Sequence, residues 1–239
     1  IKRNVYASSY FQDLRKTYKN IFLPFITHDL VGHEMVFNYI KNKDVKVLFW
    51  AGGADEIFGG YEAYSNLKFN LDFNVSPYSK FKKKNTNTLD QIESEKIWLR
   101  AFNKYNKFLD KKESRMQASL FTDYFYGSVA THNITTHILS GQNSIELRNI
   151  FMNKKVISDT INLPIKYKIN LNSKKMVFKN KPILKKLFIN LYSKKLLFKK
   201  QGFSGFPNES VKFLNKKELF EIKKIKKNKV FNRSTEWKI

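Results

Sequence analysis

Cysteine is absent from the chain. That excludes disulfides, cysteine metal sites and a cysteine nucleophile within these residues, and it says little about compartment. Arginine is scarce, with Arg3, Arg15, Arg100, Arg115, Arg148 and Arg233 making six of the 45 basic residues. Acidic residues number only 20, which leaves a net charge of +25 and a pI near 9.9. Such a surplus can mark a nucleic-acid or anionic-membrane surface. Planar recognition of phosphate usually favours arginine, however. The abundance of Lys, Asn, Ile and Phe, all with AT-rich codons, is better read as compositional drift, so no nucleic-acid partner is expected. Also missing is any apolar run near the roughly 18 residues of a membrane span, and no signal-peptide pattern opens the chain. The expected location is the cytoplasm. The chain starts at Ile1 rather than Met and is read as the carboxyl-terminal portion of something longer.

What is present is enough for a globular protein. At 239 residues, 42% hydrophobic and 15% aromatic, the chain can form one large domain, or one domain with a tail, around a substantial core. Its most informative stretch is residues 45–61, VKVLFWAGGADEIFGGY. Val45 to Phe49 is apolar except for Lys46, and Trp50 follows, a run expected of a strand buried on both faces of a parallel sheet. Ala51, Gly52, Gly53 and Ala54 are small enough for a ligand to approach the backbone. Asp55 and Glu56 then open a helix that Gly59 and Gly60 interrupt. This order places polar chemistry at the carboxyl end of a strand, where open α/β sheets bind ligands.

Elsewhere the periodicity predicts helices. Tyr10, Phe11, Leu14 and Tyr18 fall at helical spacing before a break at Pro24. His28 to Tyr39 reads as a helix with Thr27 or Asp29 as cap and Leu30, Met35, Val36 and Tyr39 as its apolar face. A turn at 41–44 follows. His28 and His33 lack a carboxylate at metal-ligand spacing and read as solvated or core histidines. Residues 61–89, with the run Lys80 to Asn85, read as a polar loop. Trp98, Phe102, Tyr105 and Leu109 define a helix over 89–109. A second helical block spans Ala118 to Ile138, and a third carries Ile183, Leu184, Leu187, Phe188 and Leu191 behind Pro182, acceptable in a first turn. Residues 196–207 read as a loop, and the tail from Val211 as a lysine-dense helix or frayed end. Few strands are visible, so the sheet is expected to be completed by strands preceding Ile1 or by short ones.

Gly53 to Tyr61, with Tyr64 three further on, closely resembles the S-G-x-G-x-D-E-x-F-x-G-Y motif of the asparagine synthetase family. Two further blocks agree in order. Ser144 to Phe151 is similar to the family's S-x-E-x-R-x-P-F-L-D segment, and Lys181-Pro182-Ile183-Leu184-Lys185 with Lys200 to Phe203 resembles its K-x-x-L-R and K-x-G-F elements. The resemblance spans roughly residues 20–207. It implies an α/β fold, an adenine-nucleotide alpha-hydrolase-like (ATP-pyrophosphatase) parallel sheet with a largely helical carboxyl-terminal part. Residues 1–207 would form a partial domain of this kind, and 208–239 a basic tail. The implied activity is ATP-dependent amide formation. A substrate carboxylate, aspartate or a related acceptor, is activated as an acyl-adenylate with release of pyrophosphate. Ammonia from a separate glutaminase domain then attacks it. ATP and Mg²⁺ are the implied cofactors, and a homodimer is one assembly to expect. By position, Asp55 is the Mg²⁺–pyrophosphate contact, Glu56 its support and Lys181 the cationic stabiliser. Trp50, Ala51, Gly52 and Gly53 form the nucleotide turn.

Read without the motif, Asp55 and Glu56 are equally well explained as satisfying a helix N-terminus, and Lys181 is one lysine among many. Glu146 and Arg148 read as a structural pair at a helix-to-strand turn, and Tyr61 and Tyr64 as packing. The pattern also breaks in places. The family's Ser-Gly is Trp50-Ala51 here, its often acidic next position is Gly52, and an Asp of its D-R-x-S-M segment falls at His137. The Pro-Phe-Leu-Asp end is Ile150-Phe151-Met152-Asn153. The S-G-G-x-D-S phosphate loop and the glutaminase cysteine are not in these residues and are expected upstream. The fragment by itself is therefore expected to be inactive. Two further readings stay open: a degenerate, non-catalytic scaffold with a basic surface, and a nucleic-acid module, which steep salt dependence of binding would reveal.

Overall fold

A computed structural model describes residues 9–21, 30–61, 64, 89–126, 128–173, 179–197 and 212. The chain divides into two compact units. The first comprises Ile1–Lys46, Thr135–Glu146 and Gly202–Ile239, and the second Val47–Ile134 and Leu147–Gln201.

In the first unit, α1 (Tyr10–Ile21) packs on α2 (Leu30–Lys41). Tyr10, Thr17 and Ile21 are buried on α1, where Thr17 Oγ1 donates to the Asp13 carbonyl at 2.9 Å. The buried positions of α2 are Leu30, Val31, Gly32, His33 and Phe37. The expected apolar face is thus only partly correct: Met35, Val36 and Tyr39 are half-buried, and Phe37 takes the deepest place. His33 is a core histidine. Pro24, Thr27, His28 and Asp29 lie outside the described residues. The turn expected at 41–44 is present and closes with Asp44 in the left-handed region, φ 54°.

The second unit contains β1 (Val47–Trp50), α3 (Ala54–Phe58), α4 (Leu89–Tyr105), α5 (Lys111–Tyr126), the start of α6 (Ser128–Gln142), β2 (Glu146–Asn149), α7 (Lys154–Thr160), α8 (Ile165–Lys168) and α9 (Pro182–Leu191). β1 and β2 form a two-stranded parallel sheet, so both chain directions lead to one end, at Trp50 and Asn149. The chain is therefore α/β with a largely helical remainder. The burial expected of β1 is not observed. Phe49 is 65% exposed and Val47 37%, while Leu48 and Trp50 are half-buried. With a single partner strand, no described layer covers the Val47–Phe49 face. Glu146 and Arg148 lie on the exposed side of β2.

The most extensive helix contact is α4 on α5. Trp98, fully buried, stacks on Phe102 with centroids 5.1 Å apart and donates Nε1–H to Ser119 Oγ at 3.0 Å. The Arg115 guanidinium lies 5.4 Å over the same ring, a cation–π contact that suits its burial. α4 ends at Tyr105, short of the expected Leu109, because Asp110 starts the next helix: its Oδ1 accepts from the Glu113 N–H at 2.8 Å as an N-cap. The helical block expected over 118–138 is present as α5 and α6, with Gly127 between them in sequence. α9 matches its expected span, with Pro182 at its first turn. One core cluster joins Tyr64, Met116, Leu120, Ile165 and Ile169; another joins Ile57, Phe58 and Tyr124. The Lys80–Asn85 run, Lys200 to Phe203 and the 208–239 tail apart from Lys212 lie outside the described residues. Among the described residues no helix is long and apolar enough to cross a membrane.

Replacing Trp98 by Ala removes the stack, the indole hydrogen bond and the platform for Arg115 together. Urea unfolding is expected to show a loss of about 3–5 kcal/mol; a loss below about 1 kcal/mol would contradict this core.

Candidate active site

The site begins where β1 stops. The turn after Trp50 passes through Gly53, whose φ of 91° is left-handed, and a Cβ there would sit 3.0 Å from Tyr124 Cε2. A side chain is thus opposed both by conformation and by space. α3 lasts five residues and ends at Gly59, φ 65°, whose N–H returns to the Asp55 carbonyl. Gly60 N–H reaches the same carbonyl at 2.7 Å. This is a left-handed helix stop of the kind glycine permits. A Cβ on Gly59 would run into the Ile169 side chain, and one on Gly60 into the Asp55 carboxylate. The glycine pair therefore does more than end a helix: it clears the space in which the Asp55 carboxylate sits.

Lys181 comes to this space from the far end of the unit. Ile169 and Asn180 form an isolated antiparallel bridge, with Asn170 N–H to the Lys179 carbonyl at 2.7 Å and Lys181 N–H to the Lys168 carbonyl at 2.9 Å. Lys181 is itself left-handed, φ 53° and ψ 43°, a conformation costing about 1–2 kcal/mol for a residue with a Cβ. Pro182 disfavours the ordinary helical alternative just before it. The strain is held by contacts on both sides. Lys181 Nζ lies 2.9 Å from Asp55 Oδ1, joining groups 126 residues apart, with the side chains 22% and 27% exposed. Asn180 Nδ2 donates to the Gly60 carbonyl at 2.9 Å, and Lys185 Nζ donates to the Asn180 carbonyl at 2.5 Å. A charge-assisted bond and a neutral one thus dock the Lys181 segment on the Asp55–Gly60 turn.

Glu56 points elsewhere. It is 3% exposed, and its Oε1 accepts from Tyr61 O–H at 2.9 Å. Burial, followed by the negative charges of Glu56, Asp55 and Asp123, holds the Tyr61 phenol well above its ordinary range. Burial and Glu56 push Tyr124 up to about 12, and Tyr124 O–H donates to the Phe151 carbonyl at 2.9 Å. Tyr64 donates to Asp123 Oδ2 at 2.6 Å. Both tyrosines after the motif are therefore proton-holding partners of carboxylates as well as packing groups. Trp50 Cδ1 lies 3.1 Å from where a Gly52 Cβ would be, and Asn133 Oδ1 and Asn149 Nδ2 each lie 2.9 Å from the same point. The two amides bond each other at 3.0 Å, so they fill the place a side chain at 52 would take. Ala51 and His137 are exposed.

Of the residues expected at the site, the structure brings Asp55 and Lys181 into contact, with Gly52 and Gly53 on the turn between β1 and Asp55. Glu56 is engaged with Tyr61. Among the described residues no group of three or more His, Asp or Glu side chains could hold a metal ion. Mg²⁺ that arrives on a polyphosphate needs only one or two carboxylates, and the part-exposed Asp55 fits that limited role. Asn180, Asp123 and Asn149 were not foreseen. Asn180 has a signal in its place beside Lys181. Asp123 and Asn149 have none, since their roles depend on partners distant in sequence.

If Gly60 clears space for Asp55, Gly60→Ala should destabilise the protein by about 1–3 kcal/mol, and by clearly less in an Asp55→Ala background. Unfolding free energies of the four proteins test this; equal cost in both backgrounds contradicts it.

The comparisons with known proteins agree with the motif. No curated protein and no solved structure gives a significant match to the chain. The family model for asparagine synthase matches residues 4–230, nearly the whole length. The chain belongs to the asparagine synthase family.

Proposed function

We propose that this chain is the synthetase part of a glutamine-dependent amidotransferase, with an ATP-pyrophosphatase fold of the adenine-nucleotide alpha-hydrolase type. The family supports a general ATP-dependent amide-forming synthetase. The acceptor is a small-molecule carboxylate, aspartate or a relative of it. Its oxygen attacks the α-phosphorus of ATP, the bond to the β-phosphate oxygen breaks, and pyrophosphate leaves. Ammonia from a glutaminase domain then adds to the acyl carbon, and AMP leaves with the bonding pair as the amide forms. The protein works in the cytoplasm, and a homodimer is its proposed assembly.

The observation that carries this reading is the 2.9 Å contact between Lys181 Nζ and Asp55 Oδ1. An ammonium fixed at a glycine-bounded turn can stabilise the charge that builds on the adenylate and the leaving pyrophosphate. Asp55 fixes that ammonium and keeps enough exposure to share a phosphate-borne Mg²⁺, which when bound neutralises the polyphosphate. Glu56, buried under Tyr61, supports the α3 turn rather than meeting substrate. The small turn at Ala51–Gly53 lets a nucleotide approach the backbone. One observation favours a second reading, a non-catalytic scaffold: Trp50 and the Asn133–Asn149 amides crowd Gly52, where the family often carries an acid.

ATP–pyrophosphate exchange by the intact protein separates the two. Exchange dependent on aspartate or another carboxylate is expected, with Lys181→Met lowering it about 10²–10³-fold. No exchange with any carboxylate overturns the enzyme reading, and absence of ATP binding as well supports the scaffold.

A further inference from the structure

We propose that Lys168 is a positioning residue: a buried lysine whose side chain anchors the segment that presents Lys181 to Asp55. Its side chain is 0% exposed. Nζ donates to the Ile161 carbonyl at 2.6 Å and to Gln117 Oε1 at 3.3 Å. Gln117 Nε2 donates to the same Ile161 carbonyl. A neutral amine has two N–H groups, and two acceptors receive them; no carboxylate is bonded to it among the described residues. The same residue holds the site through its main chain, because the Lys168 carbonyl accepts from Lys181 N–H at 2.9 Å. Its neighbour Ile169 packs where Gly59 leaves room and bridges Asn180. The amine therefore pegs one end of the bridge that carries Lys181.

Burial lowers the Lys168 amine from its ordinary value to about 7. The elements packed against α8 carry Asp55 and Glu56 on α3, Lys111, Lys112, Glu113, Arg115, Asp123, Tyr124 and Tyr126 on α5, and Lys185 and Lys186 on α9, with Lys166 and Tyr167 on α8 itself and Tyr105 and Asp159 on α4 and α7. Tyr105 donates to Asn162, Arg115 lies over Trp98, and Asp159 pairs with Lys155. None of them contributes to the shift, which burial alone causes. The linkage has a definite sign. An opened segment exposes the amine, whose free value is about 10.4, so the open form binds the proton better. Opening is least favourable above about pH 10, grows about tenfold per pH unit as pH falls toward 7, and levels off below that.

This concerns where Lys181 is held, and it rests on the catalytic reading only for its consequence in activity. Amide hydrogen exchange on the chain itself, corrected for the intrinsic pH dependence, tests it without substrate. Protection of the Lys181 and Asn170 amides is expected to fall about 70-fold between pH 9.5 and 7.5, while amides in the middle of α4 hold theirs. Lys168→Met, neutral and similar in length, should make the Lys181 protection independent of pH. Flat protection in the unmodified protein, or the same fall in Lys168→Met, overturns the proposal. Neither result depends on whether the exchange assay finds activity.

Discussion

One charged contact, Lys181 Nζ to Asp55 Oδ1, depends on nearly every unusual feature of the second unit. Asp55 can occupy its place only because Gly60 has no side chain. Gly59 must turn left-handed to bring Gly60 there, and Ile169 fills the space that Gly59 leaves. Lys181 accepts a left-handed backbone at the start of α9, and the bridge through Asn180 holds it. An exposed ion pair contributes little. This one is about three-quarters buried and tied on both sides by hydrogen bonds, so its geometry is over-determined by the fold around it.

The polar groups around that pair are bonded among themselves. Glu56 and Asp123 are bonded to the tyrosine hydroxyls of Tyr61 and Tyr64, which satisfies the buried Glu56 and the half-buried Asp123. On the other side of the turn, Asn133 and Asn149 fill the place of a side chain at Gly52. The carboxyl ends of β1 and β2 thus present small residues, amides and one ammonium–carboxylate pair. That composition suits an anionic ligand approaching the backbone, and it differs from the acidic turn usual in the family.

Local patterns were legible in the sequence and distant partnerships were not. The Gly53–Tyr61 block identified the family because helix stop, carboxylates and glycine pair occupy nine consecutive residues. The Trp98–Phe102 stripe and Pro182 likewise announced their helices. The apolar run of β1 points to burial on both faces, yet such a run does not reveal how many strands flank it. The helical block over 118–138 is present, and its two bounding helices reach beyond it to Lys111 and Gln142. The peg at Lys168 had no signal at all: one lysine in a lysine-rich chain becomes special only when Gln117, 51 positions away, and the Ile161 carbonyl enclose it.

The most direct measurement is the energetic coupling between Asp55 and Lys181, from a double-mutant cycle of Asp55→Asn and Lys181→Met on unfolding free energy. If the pair organises this unit, the two substitutions should be non-additive by about 1 kcal/mol or more. Additivity within about 0.3 kcal/mol would show that the two side chains do not act together, and it would contradict the account.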